Sequence, residues 1–502
     1  MNQELKKHLQ TVYKTLEEAR LYEHAGKLVS FDRQTVCPRQ GVQRQGEIDA
    51  FLSNRAYALL KDRQFIKSAE LLYRNREKLP AIENTLVCAL HRNYLRTKNI
   101  STEDAHRYAL IYNEAFGNWL RAKEASDFSL FANSLRAVRD IELEQAKRSE
   151  DKKKTVYDSL LDRYERGMTA EVLDDTFFVC KERLVPLMKK IKKSKKKIRT
   201  DFMGRKVTDE QQRHLAEYLL QRLEFDRSRG TLSTSEHPFT DDISWDDTRV
   251  TTHFYPARFA SSMYSVIHEC GHALFGQRTP WEDYSHFING EKTLGMHESV
   301  SRFYENRIGR SLPFIRLILA HAKEIMPQVF DDVTATEFYE AVNMVKPSLI
   351  RIDADELTYT LHIIIRYEIE QDIVRKRVKI EDIPRLWAEK YKQYLGVRVK
   401  NDREGVLQDV HWTSGFGYFP TYALGNLYNA MYYNRMKQEL RIDRLVEKGK
   451  LSVINDWMTE HVFKKADHMD ARAWILDITG RTFTPDDFLD YLEEKYGALY
   501  GL

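Results

Sequence analysis

"TDEQQRHLAEYLLQRLEF", residues 208–225, shows the pattern that decides the fold class. Apolar residues recur at three- and four-residue spacing, which places them on one face of an α-helix. Thr208 or Asp209 can cap its first turn, and Gly230 follows its end. Similar spacing runs through most of the chain, which only 12 prolines and 21 glycines interrupt. The sequence therefore predicts a mostly α protein with long helices.

"DDTRVTTHFYP", residues 246–256, is the clearest exception to the helical pattern. Its β-branched and aromatic residues cluster, and polar and apolar side chains roughly alternate, as in a half-buried strand. We predict a short hairpin or small sheet here. An edge strand of such a sheet can pair with an extended peptide, and it can equally serve only to complete the core.

The overall composition describes a globular protein with little net charge. Among 502 residues, 79 are Lys or Arg and 75 are Asp or Glu, so the net charge of +4 gives no general attraction to nucleic acid. We expect no membrane partner, because no apolar run approaches the roughly 20 residues that a bilayer requires. The N-terminus lacks the features of a secretory signal, and the four scattered cysteines form no Cys-x-x-Cys pair. A soluble protein of the reducing cytoplasm is therefore expected.

The run "KKIKKSKKKIR", residues 189–199, is the strongest local concentration of charge. A solvated helix end or loop is the favoured interpretation, because no aromatic residues are interleaved with the lysines. Contact with phosphate or an anionic surface is the alternative.

"HECGH", residues 268–272, has the spacing of a metal site on a helix. Residues four apart lie one above the other, so His268 and His272 can place two ring nitrogens on one ion. Glu269 lies about 100° around the helix, which suits it to hold a water molecule rather than to share the metal. The alternative is a pair of helix histidines that make only structural hydrogen bonds.

A catalytic metal site of this type requires a third protein ligand and an open position for water. In "GMHESVSRFYENR", residues 295–307, we select Glu298 as that ligand and keep Glu305 as a reserve. His297 points to a different face and is expected to pack or to support a ligand. Two imidazoles and one carboxylate favour Zn²⁺ over calcium or magnesium, and Co²⁺ or another divalent transition metal can substitute.

Several motifs along the chain resemble one known family, the thermostable carboxypeptidase Taq family of metallocarboxypeptidases. The motifs that carry the resemblance are "HPF" (237–239), "DTRVT" (247–251), "HECGH" (268–272), "HES" (297–299), "IRIDAD" (350–355), "GVLQDVHW" (405–412) and "GFGYFPTYALG" (415–425). The early "LVSFDRQTVCPRQG", residues 28–41, also resembles the family, although Phe31 stands where Trp is commoner and Cys37 where Met is. The likeness therefore spans nearly the whole chain.

The resemblance implies a large helical metallopeptidase with a deep central groove, assembled as a butterfly-like homodimer with one metal ion per subunit. It implies hydrolysis of the C-terminal peptide bond of peptides with a free C-terminus, which releases single amino acids. We expect one peptidase domain over residues 1–502. Within it we expect an N-terminal helical lobe near residues 1–200 and a catalytic lobe near residues 201–502.

The expected reaction uses a metal-activated water with Glu269 as the general base, which later returns the proton to the leaving amine. A developing oxyanion also requires a directed hydrogen-bond donor. His411, Tyr418 and Tyr422 lie on a Gly-rich turn and are the candidates, although each can equally be a core residue. Gln408 and Asp409 are expected to support this turn.

A carboxypeptidase also requires a fixed positive group for the terminal carboxylate of its substrate. Arg351 is the candidate that the resemblance implies, and an ion pair with Asp353 or Asp355 is its structural alternative. Tyr359 and His362 could line the groove or pack in the core. Weaker substrate-binding candidates are Arg403, Arg249 and His237.

Two alternative functions remain open at this point. A helical zinc oligoendopeptidase would use the same metal but would cut within peptides. A non-enzymatic helical scaffold would bind an acidic partner through residues 189–199.

Overall fold

A computed structural model describes residues 1–288 and 290–502, and these form twenty-two α-helices around one three-stranded sheet. The mostly α prediction is confirmed. The helices are α1 (Gln3–Thr35), α2 (Val42–Leu60), α3 (Arg63–Arg74), α4 (Ala81–Thr97), α5 (Thr102–Ala125), α6 (Ser129–Arg148), α7 (Val156–Leu161), α8 (Ala170–Lys193), α9 (Asp209–Arg222), α10 (Phe259–Gln277), α11 (Trp281–Ser285), α12 (Leu294–Arg302), α13 (Leu312–Ile325), α14 (Pro327–Phe330), α15 (Ala335–Val342), α16 (Glu356–Val374), α17 (Ile383–Tyr394), α18 (Pro420–Glu439), α19 (Ile442–Glu447), α20 (Leu451–His461), α21 (Ala471–Thr479) and α22 (Asp486–Tyr500).

Helix α9 begins where its sequence predicts. The Thr208 hydroxyl accepts a hydrogen bond from the backbone N–H of Gln211, and the Gln211 side chain accepts one from the backbone N–H of Thr208. This reciprocal pair satisfies two of the N–H groups that a helix start leaves unpaired. The helix ends at Arg222, before Gly230, because the chain turns there into the first strand.

The sheet consists of β1 (Gly230–Thr234), β2 (Thr240–Ser244) and β3 (Asp247–Thr252) in the order β1-β3-β2. Strands β2 and β3 pair antiparallel, whereas β1 pairs with β3 in parallel. The small sheet predicted near residues 246–256 is present, although only β3 lies within that stretch. Strand β2 therefore lies at an edge of the sheet, where it contacts both α1 and α10. This arrangement places the edge strand directly beside the helix that carries the two histidines.

Apolar side chains form two separate cores in the described chain. The larger core runs from Ala115 to Tyr500 and includes Leu173 of α8 together with Ile267 of α10. The smaller core lies among α1, α3 and α4 and also contains Ile288. The division into lobes near residue 200 stays a prediction.

The lysine-rich run at residues 189–199 lies at the surface. Lysines of the 189–199 run occupy the exposed end of α8 and the irregular segment after it. Within the described residues, no helix combines the length and the apolarity that crossing a membrane requires.

Candidate metal centre and active site

Helix α10 and helix α12 bring together three side chains that could hold a metal ion. The ligand atoms of His268, His272 and Glu298 all lie within 4.8 Å of one another. Glu298 Oε2 is 3.6 Å from His268 Nε2 and 3.8 Å from His272 Nε2. Two ring nitrogens and one carboxylate oxygen at this separation fit a divalent transition metal with room left for water.

Two glycines allow the backbones to approach closely enough for this cluster to form. A Cβ atom at Gly271 of α10 would lie 2.7 Å from the Cα of Ser301 in α12. A Cβ atom at Gly425 of α18 would lie 2.9 Å from the Cβ of Glu298. Helix α12 is therefore held against α10 and α18 at a distance that larger residues do not permit.

Glu305 contacts the opposite nitrogen of His268 instead of the metal-facing cluster. Its Oε2 lies 3.0 Å from His268 Nδ1, and the segment that carries it is a π-helix (Phe303–Gly309) that continues α12. A carboxylate on the second nitrogen fixes the tautomer and the orientation of a metal-binding imidazole. The geometry therefore indicates that Glu305 orients His268 and is not the third ligand.

Arg302 and Arg310 balance the negative charge around the cluster. Arg302 Nε donates to Glu298 Oε1 at 2.8 Å, and its Nη1 donates to Glu305 Oε2 at 3.1 Å. Arg310 Nη2 donates to Glu305 Oε1 at 3.0 Å. Burial would raise the pKa of the Glu298 carboxyl, but the Arg302 charge and the two histidines hold that pKa below its usual value.

The two helix histidines differ in their electrostatic surroundings. Burial lowers the pKa of His272 to about 3, which keeps its ring neutral and able to bind a metal. Burial also acts to lower the pKa of His268, but the Glu298 and Glu305 carboxylates outweigh it and raise that pKa. A cation between these side chains would replace the proton that His268 otherwise attracts.

The carboxylate of Glu269 is held by the edge strand. Thr240 Oγ1 of β2 donates to Glu269 Oε2 at 2.7 Å, and it lies 2.9 Å from the Glu269 carbonyl oxygen. Burial raises the pKa of the Glu269 carboxyl, although the neighbouring His268 opposes that shift. Sequence reasoning missed Thr240, since a lone threonine at the start of a strand carries no chemical signal.

His411, Tyr418 and Tyr422 form one aromatic group. The Tyr422 hydroxyl lies 3.2 Å from His411 Nε2, and the Tyr418 ring is 5.1 Å from the His411 ring and 5.3 Å from the Tyr422 ring. Burial lowers the pKa of His411 to about 4, so its ring is neutral. Burial raises the pKa of both tyrosines, and the Glu298 charge adds to this effect. The hydroxyls therefore stay protonated near the metal cluster.

Arg351 is buried beside this group, and its ion-pair partner is Asp409. Its Nε donates to Asp409 Oδ1 at 3.0 Å, its Nη1 lies 3.3 Å from the Tyr359 hydroxyl, and its guanidinium lies 4.8 Å from the centre of the Tyr422 ring. Within the described residues, Arg351 does not form the alternative ion pair with Asp353 or Asp355. Asp355 caps α16 and Asp353 is exposed.

Arg366 was not identified from the sequence, where it stands in the apolar stretch "LHIIIRY". It is fully buried, and its Nε donates to Asp409 Oδ2 at 2.6 Å while its Nη2 donates to Gln408 Oε1 at 2.8 Å. The two arginines therefore share one aspartate, which fixes the position of Arg351. Asp409 and Gln408 support the turn, as expected, through these contacts.

The three weaker substrate-binding candidates are either exposed or paired with a residue of their own strand. Arg249 pairs with Asp247 of its own strand, where the closest contact is 2.7 Å. Arg403 and His237 are exposed. Substrate contacts by these three side chains stay predictions.

Three further side chains were named from the sequence. His297 packs with its ring 4.8 Å from that of Phe275. His362 is fully buried, with its Nδ1 3.0 Å from the Tyr391 hydroxyl, so it lies in the core. Tyr359 lies between Arg302 and Arg351, since the Arg302 guanidinium is 4.3 Å from the centre of its ring.

The helical fold and the His-Glu-x-x-His centre together define the class of this protein as a metallopeptidase. The family model for the carboxypeptidase Taq (M32) metallopeptidases matches residues 11–496. The chain therefore belongs to the carboxypeptidase Taq (M32) family.

Individual relatives agree with this assignment. Carboxypeptidase 1 of Bacillus subtilis is 36% identical over 95% of this chain and 96% of its own length. Thermostable carboxypeptidase 1 of Thermus thermophilus is 35% identical over 95% of this chain and 96% of its own. The crystal structure of an M32 carboxypeptidase from Deinococcus radiodurans superposes with a TM-score of 0.95 at 28% identity, and the match covers 99% of this chain and 100% of that one.

The chain is thus a metallocarboxypeptidase, and the predicted enzyme class is confirmed. Its family membership does not favour the oligoendopeptidase alternative. It also argues against a scaffold without enzymatic activity.

Replacement of Gly271 tests the helix contact on which the cluster depends. We expect Gly271→Ala to push α12 from α10, to destabilise the fold by about 1–3 kcal/mol and to weaken metal binding at least ~10-fold. Thermal unfolding and metal titration measure both effects. Gly117→Ala is the matched control, because a Cβ atom there meets no atom within 4 Å. Equal behaviour of the two variants would contradict the account.

Proposed function

We propose that this chain releases single amino acids from the C-termini of peptides, with His268, His272 and Glu298 as metal ligands. The observation that carries the proposal is the convergence of their three ligand atoms within 4.8 Å of one another. Glu269 follows directly on the same helix, and Arg351 lies among side chains that surround the cluster. Ligands, base and carboxylate-binding group are therefore assembled together.

We propose Zn²⁺ as the resident ion, one per subunit, with Co²⁺ or another divalent transition metal as a substitute. Neutral imidazoles with one carboxylate suit these ions better than calcium or magnesium. When bound, such an ion supplies Lewis-acid chemistry, since it polarises the scissile carbonyl and makes water more acidic.

Glu269 is proposed as the general base. Thr240 holds Glu269 Oε2, and Oε1 accepts a hydrogen bond from no side chain of the described residues. Oε1 is thus available to take a proton from the attacking water and to deliver it to the leaving amine. Because burial raises the pKa of Glu269, the carboxyl exchanges protons more readily near neutral pH than an exposed glutamate does.

His411, Tyr418 and Tyr422 are proposed to stabilise the oxyanion that forms at the scissile carbonyl. The two hydroxyls remain protonated and can donate hydrogen bonds, and the neutral His411 ring holds Tyr422 in place. Removal of one such donor typically costs about 3–4 kcal/mol of transition-state stabilisation.

Arg351 is proposed to bind the terminal carboxylate of the substrate. Asp409 and Tyr359 hold Nε and Nη1, while Nη2 donates to no residue of the described chain. A buried, oriented guanidinium binds a carboxylate strongly because solvent does not compete for it. This group restricts cleavage to the last peptide bond, since the main-chain carboxylate of a peptide exists only at its C-terminus.

We also propose a cytoplasmic homodimer that acts on peptides with a free C-terminus. The support for the dimer is the resemblance to the family, and the support for the compartment is the presence of four free cysteines.

Glu269→Gln separates metal binding from catalysis. The amide cannot accept the proton of water, so we expect kcat to fall by about 10²–10⁴-fold while one metal ion per chain is retained. Steady-state kinetics and elemental analysis on the same sample provide the measurement. Unchanged turnover at full metal content would exclude Glu269 as the base.

Arg351→Ala tests recognition of the free C-terminus. Loss of charge-assisted hydrogen bonds should lower kcat/KM about 10²-fold for a peptide with a free carboxylate. The same peptide with a C-terminal amide should be a poor substrate for the wild type and should not be affected further. Arg183→Ala, which removes a surface arginine paired with Asp490 and Glu493, is the control. Equal cleavage of amide and acid by the wild type would contradict this role.

A further inference from the structure

The segment that carries His411 and Tyr418 has little regular structure of its own. Between the end of α17 at Tyr394 and the start of α18 at Pro420, it forms only one short 3-10 turn (His411–Thr413). Loops are mobile unless other elements hold them, whereas oxyanion donors must be fixed before the reaction. Some group outside the segment must therefore set its position.

Glu370 of α16 contacts this segment next to each of two proposed donors, His411 and Tyr418. Trp412 Nε1 donates to Glu370 Oε1 at 3.0 Å, and the Gly417 N–H donates to Oε2 at 3.2 Å. Trp412 is the neighbour of His411 in the chain, and Gly417 is the neighbour of Tyr418. One side chain on a rigid helix thus holds both ends of the segment 411–418.

The third partner of Glu370 lies outside this segment. Tyr157 of α7 donates its hydroxyl to Oε2 at 2.9 Å. All three partners are donors, so only an acceptor with two oxygens satisfies them together. An amide in this position would direct its NH₂ group at one of these donors.

The backbone of the segment follows a path that requires glycine at two positions. Gly417 has a φ of +92°, and a Cβ atom there would lie 2.8 Å from the carbonyl carbon of Leu160. Gly415 has a φ of +130°, and a Cβ atom there would lie 2.9 Å from Glu142 Oε1. Left-handed backbone at two glycines brings the segment directly against α6 and α7.

Burial of the Glu370 carboxyl costs more free energy than burial of an apolar side chain, so core packing alone does not explain its presence. The residue is fully buried, and it forms no ion pair with any of the described residues. Burial raises the pKa of its carboxyl to about 7, although the three hydrogen bonds oppose this shift. An apolar side chain would fill the space at a lower free-energy cost, but it would leave the segment without an anchor.

We propose that Glu370 is a positioning residue for catalysis, which holds His411 and Tyr418 where they stabilise the oxyanion. It is not among the three proposed metal ligands. The inference rests on the proposed role of His411 and Tyr418. It identifies Glu370 as the group that fixes their positions before substrate binds.

Glu370→Gln is the principal test. We expect kcat to fall about 10- to 100-fold, while KM changes less than ~3-fold and metal content stays at that of the wild type. A peptide phosphonate that imitates the tetrahedral intermediate should lose affinity by the same factor as kcat. A product dipeptide, which carries no such geometry, should bind with unchanged affinity. A rise in KM alone, or equal losses for both inhibitors, would overturn the proposal.

Two single-bond variants separate positioning from general stability. Trp412→Phe removes a Glu370 bond that comes from the segment, and Tyr157→Phe removes one that does not. We expect Trp412→Phe to lower kcat and phosphonate affinity together. Tyr157→Phe should lower the melting temperature but leave kcat within ~3-fold of the wild type. Equal falls in kcat for both variants would make Glu370 structural. This pair keeps the test decisive if Glu370→Gln does not fold.

His411→Ala and Tyr418→Phe are measured in parallel to separate the proposed oxyanion role from the proposed role of Glu370. If both keep full turnover, the proposed oxyanion role fails and the inference about Glu370 fails with it. If they lose turnover while Glu370→Gln does not, only the inference is overturned. In the expected case, Glu370→Gln combined with His411→Ala is less damaging than the sum of the two single variants, because both act through one segment.

Discussion

The close contact between α10 and α12 is the constraint on which the site depends. Gly271 allows the two backbones to meet at Ser301, and Gly425 allows α18 to press on Glu298 from the other side. Without this approach, two histidines on one helix would have no third ligand within reach. The His268, His272 and Glu298 cluster is therefore a consequence of helix packing, and its precision comes from the rigidity of a densely packed core.

Around this contact, buried charges are arranged in pairs that link the parts of the site. Glu298 is held by Arg302, whose guanidinium lies on the Tyr359 ring, and the Tyr359 hydroxyl contacts Arg351. The proposed metal ligand Glu298 and the proposed carboxylate-binding Arg351 are thus joined by continuous contacts. Such pairs are costly to bury, and removal of one partner leaves a charge uncompensated. This coupling explains why the proposed metal cluster and the proposed carboxylate-binding group share one rigid framework.

The sequence predicted those features that depend on local spacing. The four-residue interval of His268 and His272 predicted their common helix face, and the cap at Thr208 predicted the start of α9. It did not predict features that depend on long-range packing. Asp409 lies 58 residues from its partner Arg351, and Thr240 lies 29 residues before Glu269. Strand β1 was also missed, because its short sequence "GTLST" has no distinctive apolar pattern.

Calorimetric titration of the metal-free protein with Zn²⁺, followed by activity measurements on the same samples, tests the central claim most directly. The account predicts one ion per chain, loss of activity on removal of the ion, and recovery in proportion to the ion that is added back. It predicts that Glu298→Ala weakens binding by at least ~10-fold. Full activity of the metal-free chain, or unchanged affinity in Glu298→Ala, would contradict it.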